Sequence, residues 1–230
     1  MTLPTYKMDN DNATFVDHQP SQVRLPRGSS SLPKDVVDRE QRRRLIQGIA
    51  TAVSQKGYAA VTVADITRIA GVSRATFYAL FKDKEDCFLY GLQKLADAQM
   101  AEVEAEYEKD GPKSEVLWAA LSAYVRRINA DMNLSQAFIA EAAAASPQIR
   151  GIYEQAIERF ESGLLQWLKS LPTQRQDLNV SAVRIALVMN ALKGYIVSTV
   201  RAGQVIDESQ VQEIYNFILA SFDLEMMATR

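Results

Sequence analysis

Few residues in this chain could do bond-making chemistry. His18 is the single histidine and Cys87 the single cysteine. A usual zinc site cannot be assembled from them, and no disulfide can close within the chain. There is no glycine-rich phosphate loop, and carboxylates such as Asp131 and Glu141 are ordinary for a helical protein. An enzyme is the reading the sequence supports least, and no cofactor or metal is expected. What stands out instead is a run of polar side chains in one short stretch: Ser73, Arg74, Ala75, Thr76 and Tyr78, with Lys82 and Lys84 just beyond and Thr62 just before. An arginine fork matches the acceptor edge of guanine, while a tyrosine hydroxyl and lysine ammonium groups suit phosphate oxygens. This is the chemistry of reading a DNA groove.

The elements that must position those residues lie within Val61 to Phe81. Thr62 can cap a helix whose third residue, Asp65, completes a capping box, and Val61 with Ile66 forms a hydrophobic staple. Ile66, Ile69 and Ala70 recur at helical spacing. Gly71 fits the left-handed position that ends a helix. Ser73 then caps a second, very short helix in which Val72 and Phe77 repeat the staple and Phe77, Leu80 and Phe81 form the inner side. Arg74, Ala75, Thr76 and Tyr78 are left on the other side. A helical hairpin with a polar outer face has the same pattern. Groove reading explains better why barely two turns carry those residue types.

Residues from about Leu45 to Cys87 resemble the DNA-binding domain of the TetR family of transcriptional regulators. The resemblance is carried by Gly57-Tyr58, Val61-Thr62-Val63-Ala64-Asp65-Ile66, Ala70-Gly71-Val72-Ser73, Thr76-Phe77-Tyr78, Phe81 and Lys84-Glu85. Gly48 and Val53 stand where the family often has Ala and Phe, and Ala75 where Gly is frequent. The resemblance implies an all-α fold: an N-terminal three-helix helix-turn-helix domain followed by a C-terminal helical domain for effector binding and dimerisation. It also implies that the last two helices pair with their twofold copies, that a small molecule is held in the rear domain, and that repression is the commoner mode.

Charge divides the chain in the same way. Residues 24–86 hold 12 Lys and Arg against 7 Asp and Glu, whereas residues 87–230 hold 13 against 18. A basic front and an acidic rear suit a protein that presents one end to phosphates, although the net charge is −2. Residues 1–33 lack apolar periodicity and read as a disordered arm. Its Arg24 and Arg27 fit either a segment lying along DNA or a solvated tail. The N-terminal stretch has no signal-peptide pattern, and the apolar run Ile185 to Val200 is broken by Lys193. A cytoplasmic protein that does not span a membrane is therefore expected.

Residues 34–83 are expected to form the helix-turn-helix domain and 84–230 the helical rear domain. The first helix should run from Asp35 to Lys56, capped by Asp35 or Ser31. Its cluster Arg39, Arg42, Arg43 and Arg44 could touch phosphates or form a solvated face. Asp83 should cap a helix to Tyr107 or Glu108. Ser114 should cap the next, to Asn129. Asn133 to Ala145, Pro147 to Ser170, a helix capped by Asn179 and ending at Gly203, and one from Asp207-Glu208 to Leu224 complete the chain.

Two of those helices are apolar on more than one face, which suits a shared interface. Ile185, Met189, Leu192, Ile196, Ile214, Phe217 and Ile218 are the expected dimer contacts, with Ala191 and Gly194 allowing close approach. Trp118, Tyr124, Phe138, Tyr153, Phe160 and Trp167 could line an effector cavity or simply fill a core. Glu141 and Asn190, polar residues within apolar runs, could anchor a ligand or pair internally with Arg126, Arg127 or Arg184. The expected function is a homodimeric repressor released from a palindromic operator in double-stranded DNA by a small apolar or amphipathic effector. A DNA-binding organiser of the same fold without an effector is the alternative, and a protein-only interaction module is a third.

Overall fold

A computed structural model describes residues 33–170 and 181–222, and in these residues every regular element is helical. Helix α1 (Lys34–Lys56) begins after Pro33, with no side-chain cap, so Asp35 does not cap it; Ser31 lies outside the described residues. The Pro33 carbonyl instead accepts from the Val36 and Val37 N–H groups at 3.1 and 3.2 Å, which closes the first turn without a side chain. Helix α2 (Val63–Ala70) carries the expected capping box between Thr62 and Asp65. It stops at Gly71, whose φ of 66° is readily adopted without a Cβ. Helix α3 (Arg74–Leu80) is capped by Ser73, which accepts from the Thr76 N–H at 3.0 Å. Gly48 marks where α1 crosses α2: a Cβ there would lie 2.8 Å from the Ile66 carbonyl oxygen. That accounts for glycine at this departure from the family pattern.

Helix α4 (Lys84–Tyr107) is capped by Asp83. Helix α5 (Lys113–Ala130) starts after Pro112 and has no side-chain cap, so Ser114 lies inside it. The alanine-rich stretch is one helical rod in three parts: α6 (Met132–Ser135), a π-helical segment Gln136–Glu141, and α7 (Ala142–Ala145). Helix α8 (Pro147–Ser170) runs alongside α4, with Ser146 bonded to Glu85, Arg159 paired with Asp97 and Trp167 stacked on Tyr107. Helix α9 (Ala182–Arg201) is capped by Ser181; Asn179, the expected cap, lies outside the described residues. Asp207 caps α10 (Glu208–Ser221) with a second capping box.

Two apolar cores meet along α4. One gathers Leu45, Ile49, Ile66, Phe77, Phe81 and Phe88 from α1–α4 and also takes in Phe138 and Tyr153 from the rear. The other is built from α5, α8, α9 and α10 around Ile128, Leu164, Val200, Ile206 and Phe222. The π segment is wedged against α1, α4 and α9. Two polar bonds fasten the same corner to α1: Gln47 Nε2 donates to Asp131 at 2.8 Å, and Ser54 Oγ to Asn133 at 2.9 Å.

Candidate nucleic-acid interface and effector cavity

The sequence around α3 folds so that its underside holds it in place. Phe77 is fully buried and Phe81 nearly so, and their rings lie 5.9 Å apart. Burying such a ring contributes about 1.5–3 kcal/mol. Arg74, Ala75 and Tyr78 are exposed on the opposite side, Tyr78 at 59 %. Thr76 is half-buried and its hydroxyl lies 2.9 Å from that of Ser73, so these two hydroxyls serve the helix start as much as the surface. Thr62 is exposed, and its hydroxyl donates to Asp65 at 2.6 Å. Lys56 reaches the same carboxylate at 2.5 Å, and these donors hold the Asp65 carboxyl well below the usual carboxylate range.

The two lysines differ. Lys82 is exposed beside the end of α3. Lys84 is turned back: its Nζ donates to the Tyr58 carbonyl at 2.9 Å and sits 4.4 Å above the Tyr58 ring. Desolvation lowers its pKa, while burial, followed by Glu85 and Asp83, pushes that of Tyr58 up to about 12. In this arrangement Lys84 fastens α4 to the turn before α2. The α1 arginines are also engaged. Glu40 accepts from Arg43 and Arg44 at 2.9 and 2.8 Å, and Arg42 lies over the Tyr90 ring. The arm with Arg24, Arg27 and His18 lies outside the described residues.

Behind α4 lies an apolar cavity of about 130 Å³ walled by α4, α5, the π segment, α8, α9 and α10. Tyr124, Phe138, Tyr153 and Phe160 line it, as the sequence suggests. Four other candidates do not. Trp118 packs edge-on against Tyr215, and Trp167 is stacked on Tyr107 within the core. Glu141 stands beside Gly57. Asn190 is exposed and donates to the carbonyl of Ala186 in its own helix at 2.8 Å. Of the three arginines that could pair internally with Glu141 or Asn190, Arg127 bonds Glu102 instead. The sequence reading missed Gln99 and Lys193, both in the wall. Gln99 is 5 % exposed, and its amide nitrogen meets no hydrogen-bond acceptor. A glutamine at the inner register of α4, among Leu92, Leu95 and Val103, was the signal available. Burial raises the pKa of Tyr124, with a smaller push from Tyr153, so both hydroxyls stay neutral donors.

The expected dimer contacts need correction. Ile185, Ile196, Ile214 and Ile218 are buried within the protomer, and Met189, Leu192, Ile196, Ile214 and Ile218 wall the cavity. Of the seven, only Phe217 faces outward, at 43 % exposed. The outward stripe of α9 is instead Val183, Leu187, Ala191, Gly194 and Tyr195, with Val183 and Leu187 close to 70 % exposed (69 % and 68 %). Ala220 continues the stripe on α10 beside Phe217. Spacing could not separate the inward from the outward residues of these helices, because both sides are apolar. Helix α9 also has the length and hydropathy of a membrane span, with 28 % of its window buried.

Residues 45–90 match the model of the bacterial regulatory proteins, tetR family. The chain is 26 % identical over 202 residues to the HTH-type transcriptional regulator AcrR of Shigella flexneri, covering 82 % of this chain and 84 % of that one. Among solved structures it resembles the fatty acid degradation regulator FadR of Bacillus halodurans, with a TM-score of 0.69, 17 % identity, and coverage of 78 % of this chain and 94 % of that one. It also resembles the TetR-family regulator PfmR of Thermus thermophilus, with a TM-score of 0.63, 23 % identity, and coverage of 77 % and 95 %. At these identities the structural likenesses establish the fold.

Proposed function

We propose that the chain is a DNA-binding transcriptional regulator of the TetR type, a reading supported by its family-model match and its relatives, and that it acts as a cytoplasmic homodimeric repressor, released from a palindromic operator by a small apolar or amphipathic effector. The observation that carries this reading is the double duty of α4. Its first residues follow directly from α3, and its middle forms one wall of the cavity. A ligand that changes how α4 packs must therefore change where α3 points.

Arg74 and Tyr78 make the base and phosphate contacts, Ala75 lets the backbone approach the groove, and Lys82 supports the phosphate contact. One seven-residue helix offers few contacts. Two copies held about one helical turn of DNA apart multiply them. The exposed stripe of α9 and α10 supplies the surface for the second copy, and covering it with a partner hides the apolar residues that would otherwise face water. A coupling of about 1–3 kcal/mol between cavity and operator suffices to change DNA affinity roughly 5- to 150-fold.

Selection of bound fragments from random DNA followed by footprinting tests the reading. A two-fold symmetric protected site, bound by a dimer and weakened by a cavity ligand, is the expected result. Protection of one asymmetric half-site, or a protein that sediments as a single chain on DNA, would overturn it.

A further inference from the structure

The cavity wall is selective about charge and polarity. Its lining contains no aspartate or glutamate, and its single charged side chain is Lys193, half-exposed on α9 with no ion-pair partner among the described residues. Opposite, on α4, the buried Gln99 amide has an N–H group with no acceptor. A buried donor without a partner costs about 1–3 kcal/mol, and a ligand oxygen that accepts from it recovers that cost. Tyr124 and Tyr153, held neutral by burial, add no negative charge. A cavity of about 130 Å³ is close to the ~150 Å³ that accommodates a benzene-sized guest, which limits the ligand to a small body.

We propose that the effector is a compact apolar molecule carrying a carbonyl or carboxylate oxygen that accepts from Gln99, neutral or singly anionic and never cationic, with Lys193 favouring the anionic form. This rests on the effector reading above and adds the chemical class. The reasoning is one of mismatch. An ammonium ligand would enter a wall with no counter-charge and face Lys193, and it would leave the Gln99 N–H still unpaired. A pure hydrocarbon gains the apolar contacts but leaves the same amide unsatisfied. A ketone or carboxylic acid of the same size gains both.

Four compact probes of similar bulk separate these cases: ethylbenzene, acetophenone, benzoate and benzylamine, titrated into the full chain by calorimetry and then into its DNA complex. The ketone and the carboxylate should bind about five- to tenfold more tightly than ethylbenzene, the equivalent of one hydrogen bond, and should release DNA, while the amine should do neither. Gln99→Leu should erase the ketone's advantage over ethylbenzene. Lys193→Met should weaken benzoate relative to acetophenone. Binding of benzylamine equal to or tighter than that of acetophenone, or a ketone advantage that survives Gln99→Leu, would overturn the proposed class while leaving a cavity effector standing. Failure of all four probes, ethylbenzene included, to bind would overturn the effector reading itself, and this inference with it.

Discussion

Arg74 and Tyr78 leave the same short helix on its exposed side, but they have different partners to find. Arg74 sits at the first position of α3 with no hydrogen bond or ion pair among the described residues. If it reads guanine, Arg74→Ala should cost about 1–3 kcal/mol on the preferred site and flatten the preference at one base pair, measured by competition among operator variants. Tyr78→Ala should instead weaken binding by a similar factor on every sequence, the signature of a phosphate contact. Asp65 gives a prediction of another kind. Its carboxyl is held below its ordinary value of 3.8 first by the Lys56 bond and then by Thr62. A group depressed on folding stabilises the fold above its unfolded pKa, and that contribution fades as pH falls through the folded one. The thermal midpoint gap between wild type and Asp65→Asn should therefore be widest near neutrality. It should hold until pH approaches the unfolded carboxylate value of about 4 and narrow only below it. These residues were legible from sequence because everything that fixes them is local: Thr62, Asp65, Gly71 and Ser73 act within four positions of their partners. Gln99 and Lys193 were harder to see, since what distinguishes them is the space they face, formed by elements distant in sequence.

Helices were legible as lengths and became ambiguous as faces. Periodicity finds α9, yet its apolar residues occupy both a cavity wall and an outer stripe, and spacing alone cannot say which is which. Ile185 and Leu187 lie two residues apart and point to opposite environments, one 3 % and the other 68 % exposed. The π segment was not legible at all, because it is set by packing against α1, α4 and α9 and not by a composition of its own. Such segments are frequent at functional sites. Here it carries Phe138, whose ring lies 4.8 Å from Phe88 in the front core while also lining the cavity. Gly91 makes room for that ring: a Cβ on Gly91 would lie 2.6 Å from Phe138 Cζ. Gly91→Ala should push the ring toward the cavity at an overpacking cost of about 1–3 kcal/mol. Ligand affinity and ligand-free DNA affinity should both fall, with helical content unchanged by circular dichroism. Unaltered DNA binding together with unaltered ligand affinity would mean that Phe138 does not connect the two regions.

At the scale of the molecule, the unanswered demand is the exposed apolar stripe that runs from Val183 through Leu187 and Tyr195 on α9 to Phe217 on α10. Composition would let α9 enter a bilayer, but its inward side already builds a protein cavity and carries Lys193, so insertion would dismantle the protomer. A twofold copy covers the stripe without that cost, and Gly194, around which an added Cβ would meet nothing within 4 Å in the protomer, leaves room for a close helix crossing. Leu187→Glu isolates this question, because the side chain takes no part in either core. The variant should keep its fold and ligand binding, since the cavity wall is untouched. In light scattering after size exclusion it should elute with the mass of one chain, 25.7 kDa. Its affinity for a symmetric operator should drop by about 10²–10⁴, the advantage lost when two sites are no longer joined, while weak binding to a half-site persists. A dimer that survives Leu187→Glu and Phe217→Glu together would place the contact between copies on another surface and leave the outer side of α9 to a different partner.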